Sequence, residues 1–295
     1  MQALALVSRA APSVSPPRIA TLARRLSATS PGRTRSELFR AHCYFYRSRA
    51  TRVSASSVTS GMEKVSFGDA GIPGYECGDK TAPGIIVLQE WWGVTENIKQ
   101  QALFLSTKGY RCLVPDLYKG KLGVNVEEAH HLMSNLDWPG AKGEICEAAK
   151  YLKETGSPKV GAVGFCMGGA LTLIGAQHSD DIDCAAPFYG TPDPAICQTD
   201  KITKPIQAHF GAEDNLAGFS DPAAAARLAE NLKAAGGESE VFTYPGVGHA
   251  FMNELPEPYP DFAAREATQG FPGYNQAQVA TAWERVVGFF DKHLK

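Results

Sequence analysis

Lys159-Val160-Gly161-Ala162-Val163-Gly164-Phe165-Cys166-Met167-Gly168-Gly169-Ala170 joins an apolar strand to a helix of small residues, with one cysteine at the junction. Ser157-Pro158 marks where the strand begins. A glycine stands two residues to either side of Cys166. That spacing suits a turn so tight that any larger side chain would strike neighbouring backbone. The pattern is that of a nucleophile elbow with Cys in the place usually held by Ser. It puts the sulfur at a helix N-terminus, whose partial positive charge favours a thiolate and steadies a developing oxyanion through the Met167 N–H. A buried cysteine in a close helix contact and a phosphate-binding loop are the competing readings. The glycines do not form G-x-G-x-x-G, and no Lys-Ser or Lys-Thr follows them.

Outward from this junction, strand and helix signals alternate. Ile85-Ile86-Val87-Leu88 and Arg111-Cys112-Leu113-Val114 read as buried strands before it, and Cys184 to Tyr189, Ile206 to Phe210 and Glu240 to Tyr244 as strands after it. Helices are expected over Thr95 to Lys108, Val126 to Leu136, Pro139 to Glu154, Met167 to Gln177 and Ala277 to His293. Another runs from an Asp221 N-cap, with Pro222 at its first position, to Ala235, and stops at Gly236-Gly237. Nearly continuous apolar strands between helices predict a single α/β domain, a mostly parallel sheet covered on both faces. The stretch Leu255 to Gln276 is longer than an ordinary connection and is expected to cover the mouth of a site.

A nucleophile of this kind needs a base, and the base an orienting carboxylate. Asp214 follows the strand ending at Phe210, and His249 follows the strand ending at Tyr244. Both therefore fall at strand carboxyl ends, in the order nucleophile, acid, histidine. Glu213 is the neighbour that competes with Asp214, while Asp181 and Asp183 come a strand too early. Among the other histidines, His42 lies in the N-terminal segment, His130 and His131 on a helix, His178 at a helix end and His293 near the C-terminus. His209 sits within a strand and is expected to pack in the core. Gln89-Glu90-Trp91-Trp92-Gly93 ends the first strong strand. Its functional reading places the Trp91 N–H opposite that of Met167 as an oxyanion donor, with Glu90 turned toward Cys166. Aromatic packing on the sheet edge is the alternative for one of the two rings.

Composition sets the outer limits. The 295 residues carry a formal charge of −2, yet residues 1–60 hold ten Arg, no Lys and one acidic residue, Glu37. That segment is also rich in Ser and Ala and broken by Pro12, Pro16, Pro17 and Pro31, as a chloroplast or mitochondrial transit peptide would be. Met62 could start a cytoplasmic form. The remaining domain is acidic, so nucleic acid is not an expected partner. No apolar run is long enough to span a membrane as a helix. Seven cysteines without a C-x-x-C pair, and no histidine at zinc-ligand spacing, predict no structural metal, and no cofactor is expected. The chain is expected to be a monomer.

From about Gly71 to Leu294 the chain resembles the dienelactone hydrolase family of α/β-hydrolases. The resemblance is carried by Gln89-Glu90 with Gly93, Pro115-Asp116-Leu117-Tyr118, Gly164-Phe165-Cys166-Met167-Gly168-Gly169, Asp214 and Gly248-His249. It implies that Cys166 is the nucleophile, His249 the general base and acid, and Asp214 the group that fixes the imidazole. It also implies that Cys166 rests as a neutral thiol near Glu90 until substrate binding shifts that catalytic carboxylate toward proton abstraction, and that the amides of Trp91 and Met167 hold the oxyanion. Trp92, Tyr118, Lys119, Lys121, Phe251 and Asn253 are then expected to bind a small ester or enol lactone, cleaved through a thioester. Bacterial members clamp a substrate carboxylate with arginines, one just after Asp-Leu-Tyr and one four residues after the catalytic histidine. Here those places read Lys119-Gly120-Lys121 and Asn253, so the planar fork is missing and a dienelactone carboxylate is not the expected substrate. Thioesterase or acyltransferase activity on the same triad, and a non-catalytic redox-sensing Cys166, are the rival functions.

Overall fold

A computed structural model of the protein describes residues 61–295. The transit peptide expected over residues 1–60 lies outside the described residues, with His42 and Cys43. One sheet of eight strands runs through the described chain, in the order β1-β2-β4-β3-β5-β6-β7-β8. The strands are β1 (Glu63–Phe67), β2 (Ile72–Cys77), β3 (Gly84–Leu88), β4 (Arg111–Pro115), β5 (Val160–Phe165), β6 (Cys184–Phe188), β7 (Ile206–Gly211) and β8 (Ser239–Tyr244). Pairing is parallel from β4 through β8, while β2 is antiparallel to both β1 and β4. The helices are α1 (Glu96–Thr107), α2 (Val126–Ser134), α3 (Trp138–Glu154), α4 (Met167–His178), α5 (Pro222–Ala235), α6 (Phe262–Gln269) and α7 (Gln276–Leu294).

β3, β4, β5, β6 and β7 are buried along their whole length, as strands covered on both faces must be. Ile145, Leu152, Leu171, Ile174 and Leu228 of α3, α4 and α5 fill one face. Ile98, Leu105, Trp283, Val286 and Phe290 of α1 and α7 fill the other. The α7 packing depends on a missing side chain, because a Cβ on Gly161 in β5 would come within 2.9 Å of the Phe290 ring. The stop signals for α5 act as expected: the Asp221 side chain accepts from Ala224 N–H, and Gly236 closes the helix in the left-handed region at φ 79°.

Two parts of the structure are absent from the sequence expectations. The β1–β2 hairpin was not anticipated. β1 lies at the sheet edge and is mostly exposed, and β2 carries Pro73 and Gly74, residues that usually break strands. Gly74 is required there, since a Cβ would meet the Val114 carbonyl oxygen at 2.8 Å. The hairpin also supplies Glu76, which forms a buried 2.8 Å ion pair with Arg111 of β4 and accepts from the Tyr151 hydroxyl at 3.0 Å. The long connection expected to cover the site mouth, Leu255 to Gln276, contains α6. Its caps were readable: Asp261 accepts from Ala264 N–H, and Gly270 ends the helix at φ 77°.

Candidate active site

The predicted chemical groups all hang from the carboxyl ends of strands, where open α/β sheets place their ligands. Cys166 follows β5 directly and caps α4 at φ 56° and ψ −117°. For a residue with a side chain that backbone costs about 1–3 kcal/mol and survives only when its surroundings impose it. They do so here. Cys166 N–H donates to the Phe188 carbonyl at 3.1 Å, and the Cys166 carbonyl accepts from Gly169 N–H at 2.8 Å. A Cβ at Gly164 would lie 2.2 Å from the Gly168 oxygen, and one at Gly168 would lie 2.3 Å from the Leu88 oxygen. Strand, turn and helix backbones therefore touch directly, which leaves the cysteine side chain as the group that projects. Tyr189 and Ala250, beyond β6 and beside His249, also hold positive φ values of 34° and 57°.

His249 and Asp214 come together as their positions predict. The imidazole Nδ1 lies 2.8 Å from Asp214 Oδ2, and the pair is buried. Asp214 is anchored in turn, its Oδ1 accepting from Leu216 N–H at 3.0 Å. Burial works against an ionised carboxylate, but the His249 charge and the hydrogen bonds from His249, Leu216 and Ser220 outweigh it and hold Asp214 below the usual range. Burial likewise opposes a charged imidazole, yet the charges of Asp214 and Cys166 raise His249 well above its ordinary value. The opposite ring nitrogen, Nε2, is buried without a partner of regular hydrogen-bond geometry. With Nδ1 engaged by Asp214, Nε2 is the atom left to exchange a proton with the neighbouring thiol.

Glu90 lies two residues past β3, and the parallel register pairs Leu88 with Gly164. The segments that lead to Glu90 and to Cys166 therefore leave neighbouring strands at the same end of the sheet. Glu90 is 2% exposed, and burial lifts its carboxyl pKa despite a 2.9 Å hydrogen bond from Asn253 Nδ2 and the nearby charges of His249 and Arg265. Met167 opens α4, so its N–H has no acceptor within the helix. Trp91 stands in the turn closed by Gly93 N–H on the Glu90 carbonyl at 3.1 Å.

The residues expected to contact substrate separate into two groups. Trp92 packs edge-on to Tyr259 of the covering segment, with ring centres 6.3 Å apart, and the Tyr118 hydroxyl meets Met167 Sδ at 3.4 Å. Tyr118 thereby adjoins the elbow. Phe251 is instead fully buried against Phe188, Tyr189 and Tyr244, a core position closed to substrate. Asn253 is 3% exposed and spends its amide on Glu90, so it positions that carboxyl. Lys119 pairs with Glu144 of α3 at 2.5 Å, and Lys121 lines the open cleft beside it.

Three residues that sequence reasoning did not select also stand here. The Tyr189 ring lies 5.0 Å from the imidazole, and its buried hydroxyl faces the Met252 backbone. Ser220 Oγ lies 3.1 Å from His249 Nδ1. Arg265 of α6 is buried, donates to the Asn253 carbonyl at 3.4 Å and has Phe262 beneath its guanidinium. Tyr189 could have been found as the residue ending a strand beside the elbow. Nothing local marks Ser220 or Arg265.

The sheet order and the strand–elbow–helix bearing Cys166 define an α/β-hydrolase. The dienelactone hydrolase family model matches residues 72–294. The chain is 30% identical over 223 residues to protein usf of Aquifex pyrophilus, a match covering 72% of this chain and 89% of that one. It is 29% identical to a candidate carboxymethylenebutenolidase of Aquifex aeolicus, over 76% and 94% of the two chains. Among solved structures, a dienelactone hydrolase-like promiscuous phosphotriesterase from metagenomic libraries superposes with a TM-score of 0.67 at 20% identity, over 80% of this chain and all of the other. Thermogutta terrifontis esterase 2 superposes at 0.56 and 15% identity, over 81% and 97%. The chain belongs to the dienelactone hydrolase family and is a carboxylic ester hydrolase.

Proposed function

We propose that the protein cleaves a small-molecule ester or enol lactone through a thioester on Cys166, with His249 as general base and acid and Asp214 as its orienting carboxylate. The single observation that carries this reading is the buried His249–Asp214 hydrogen bond next to a cysteine held at a strained elbow. Cys166 gives its proton to His249 Nε2, and the sulfur bonds to the substrate carbonyl carbon. The carbonyl π electrons move onto oxygen, facing the amides of Trp91 and Met167. As the tetrahedral centre collapses, the C–O bond breaks and the departing alkoxide or enolate takes the imidazolium proton. Water deprotonated by His249 then attacks the thioester carbon, the C–S bond breaks to release the acid, and the imidazolium returns its proton to the Cys166 sulfur. Burial keeps Glu90 inclined to the neutral form, so it adds little negative charge where the oxyanion forms. A redox thiol would need no orienting carboxylate, which favours catalysis for this site.

The test is C166A assayed with p-nitrophenyl acetate. The variant should lose turnover while its melting temperature stays within a few degrees of the parent's. Turnover retained by a folded C166A would overturn the mechanism. A panel of esters differing in acid-side charge addresses substrate class. Lys119 is engaged by Glu144 and Asn253 by Glu90, so neutral esters should show kcat/KM at least equal to that of their carboxylated counterparts.

A further inference from the structure

Ser220 is completely buried, in the loop between Asp214 and α5, and its hydroxyl oxygen lies 3.1 Å from His249 Nδ1. Ser220 is also among the groups that hold Asp214 below the usual carboxylate range. Its backbone is fixed independently of the site: Ser220 N–H donates to the Leu216 carbonyl at 3.1 Å. The adjoining Phe219 carbonyl accepts from both the N–H and the hydroxyl of Thr191, at 3.0 and 2.7 Å. The loop thus holds a hydroxyl at the corner where carboxylate and imidazole meet. A buried hydroxyl that served only packing would leave its hydrogen-bonding capacity idle, at a cost that an alanine of nearly the same size would avoid.

We propose that Ser220 is a positioning residue of the reaction: its hydroxyl donates to Asp214 and offers its oxygen to His249 Nδ1–H, fixing the carboxylate and the ring in one plane with Nε2 toward Cys166. The inference rests on the triad assigned above. Leu216 N–H, the Ser220 hydroxyl and His249 Nδ1–H are three donors converging on one carboxylate, so Asp214 stays ionised despite its burial. The other ionisable groups around the imidazole are Cys166 on α4, Glu90 after β3 and Tyr189 after β6, with Arg265 of α6 beyond Glu90 and Tyr189. None of these is replaced when the serine is changed.

The experiment compares S220A, which removes the hydroxyl, with S220T, which keeps it, following p-nitrophenyl acetate hydrolysis against pH alongside thermal unfolding. S220A should lower kcat roughly 3- to 30-fold, less than the ~10²–10⁴ of a full acid–base contribution, with KM within about twofold because the side chain does not touch substrate. The acid limb of the kcat profile is set by protonation of His249, and losing the hydroxyl changes the contacts of both Nδ1–H and the Asp214 carboxylate, so this limb should shift by about half a unit or more. S220T should retain the parent's acid limb. An unshifted limb in folded S220A, or an equal shift in folded S220T, would overturn the proposal. If S220A does not fold, S220C, nearly isosteric but a weak donor, is read by the same criteria. A C166A control separates the two questions, since turnover in C166A defeats the triad itself whatever the serine variants do.

Discussion

At the scale of single residues, the elbow tolerates no added atom. The contacts a Cβ would make at Gly164 and Gly168 are with backbone, which cannot rotate away. G164A or G168A should therefore cost more than about 4 kcal/mol or abolish folding, measured as denaturant midpoint or soluble yield. Glu90 gives a prediction of opposite sign. Its folded-state pKa is raised by burial, so ionisation in the native state is penalised. The penalty is absent below the unfolded carboxyl pKa of about 4.3 and grows as pH rises through the folded value. E90Q should melt higher than the parent at pH 8 and match it near pH 4, and an equal gap at both pH values would show that Glu90 is not titrating. Asp214 behaves in the reverse sense. Its depressed pKa contributes stability above the unfolded value of about 3.9, lost as pH falls through the folded one. D214N should be less stable than the parent at neutral pH, and the gap should close in acid.

At the scale of elements, the buried Arg111–Glu76 pair ties the unforeseen hairpin to the parallel sheet. Removing one partner strands the other charge in a buried site. E76A should cost about 3–5 kcal/mol in a chemical denaturation experiment, whereas a surface pair such as Lys150–Glu154 should cost at most about 1 when broken. These elements also show what the sequence can and cannot disclose. Strands such as Ile85 to Leu88 and Val160 to Val163 are legible because both faces are buried, so that nearly every position is apolar. β2 is not, because its Gly74 is explained by the close approach of Val114 from β4, a contact made only after folding. α6 has local signals in a capping aspartate and a terminating glycine, but at eight residues it is too short to show a helical period, and Pro256, Pro258 and Pro260 come just before it.

At the scale of the whole molecule, Cys166, Asp214 and His249 could be assigned from chain order because each follows a strand, and strand ends of a parallel sheet lie along one edge. Their partners could not. Ser220 reaches the imidazole from a loop, Arg265 approaches Glu90 from the covering segment, and Asn253 occupies a position that resemblance assigned to substrate. Each of these depends on how loops fold back over the edge, which periodicity along the chain does not encode. The proposed catalysis depends on the same assembly: the sulfur follows the fifth strand, the imidazole follows the eighth, and the Phe290 ring of the final helix closes against Gly161 on the strand before the sulfur. During synthesis the thiol therefore emerges from the ribosome well ahead of the imidazole that would activate it, and both precede the helix that seals their support. A truncated or half-translated product should be inert toward esters, so the cell meets this activity only in finished molecules.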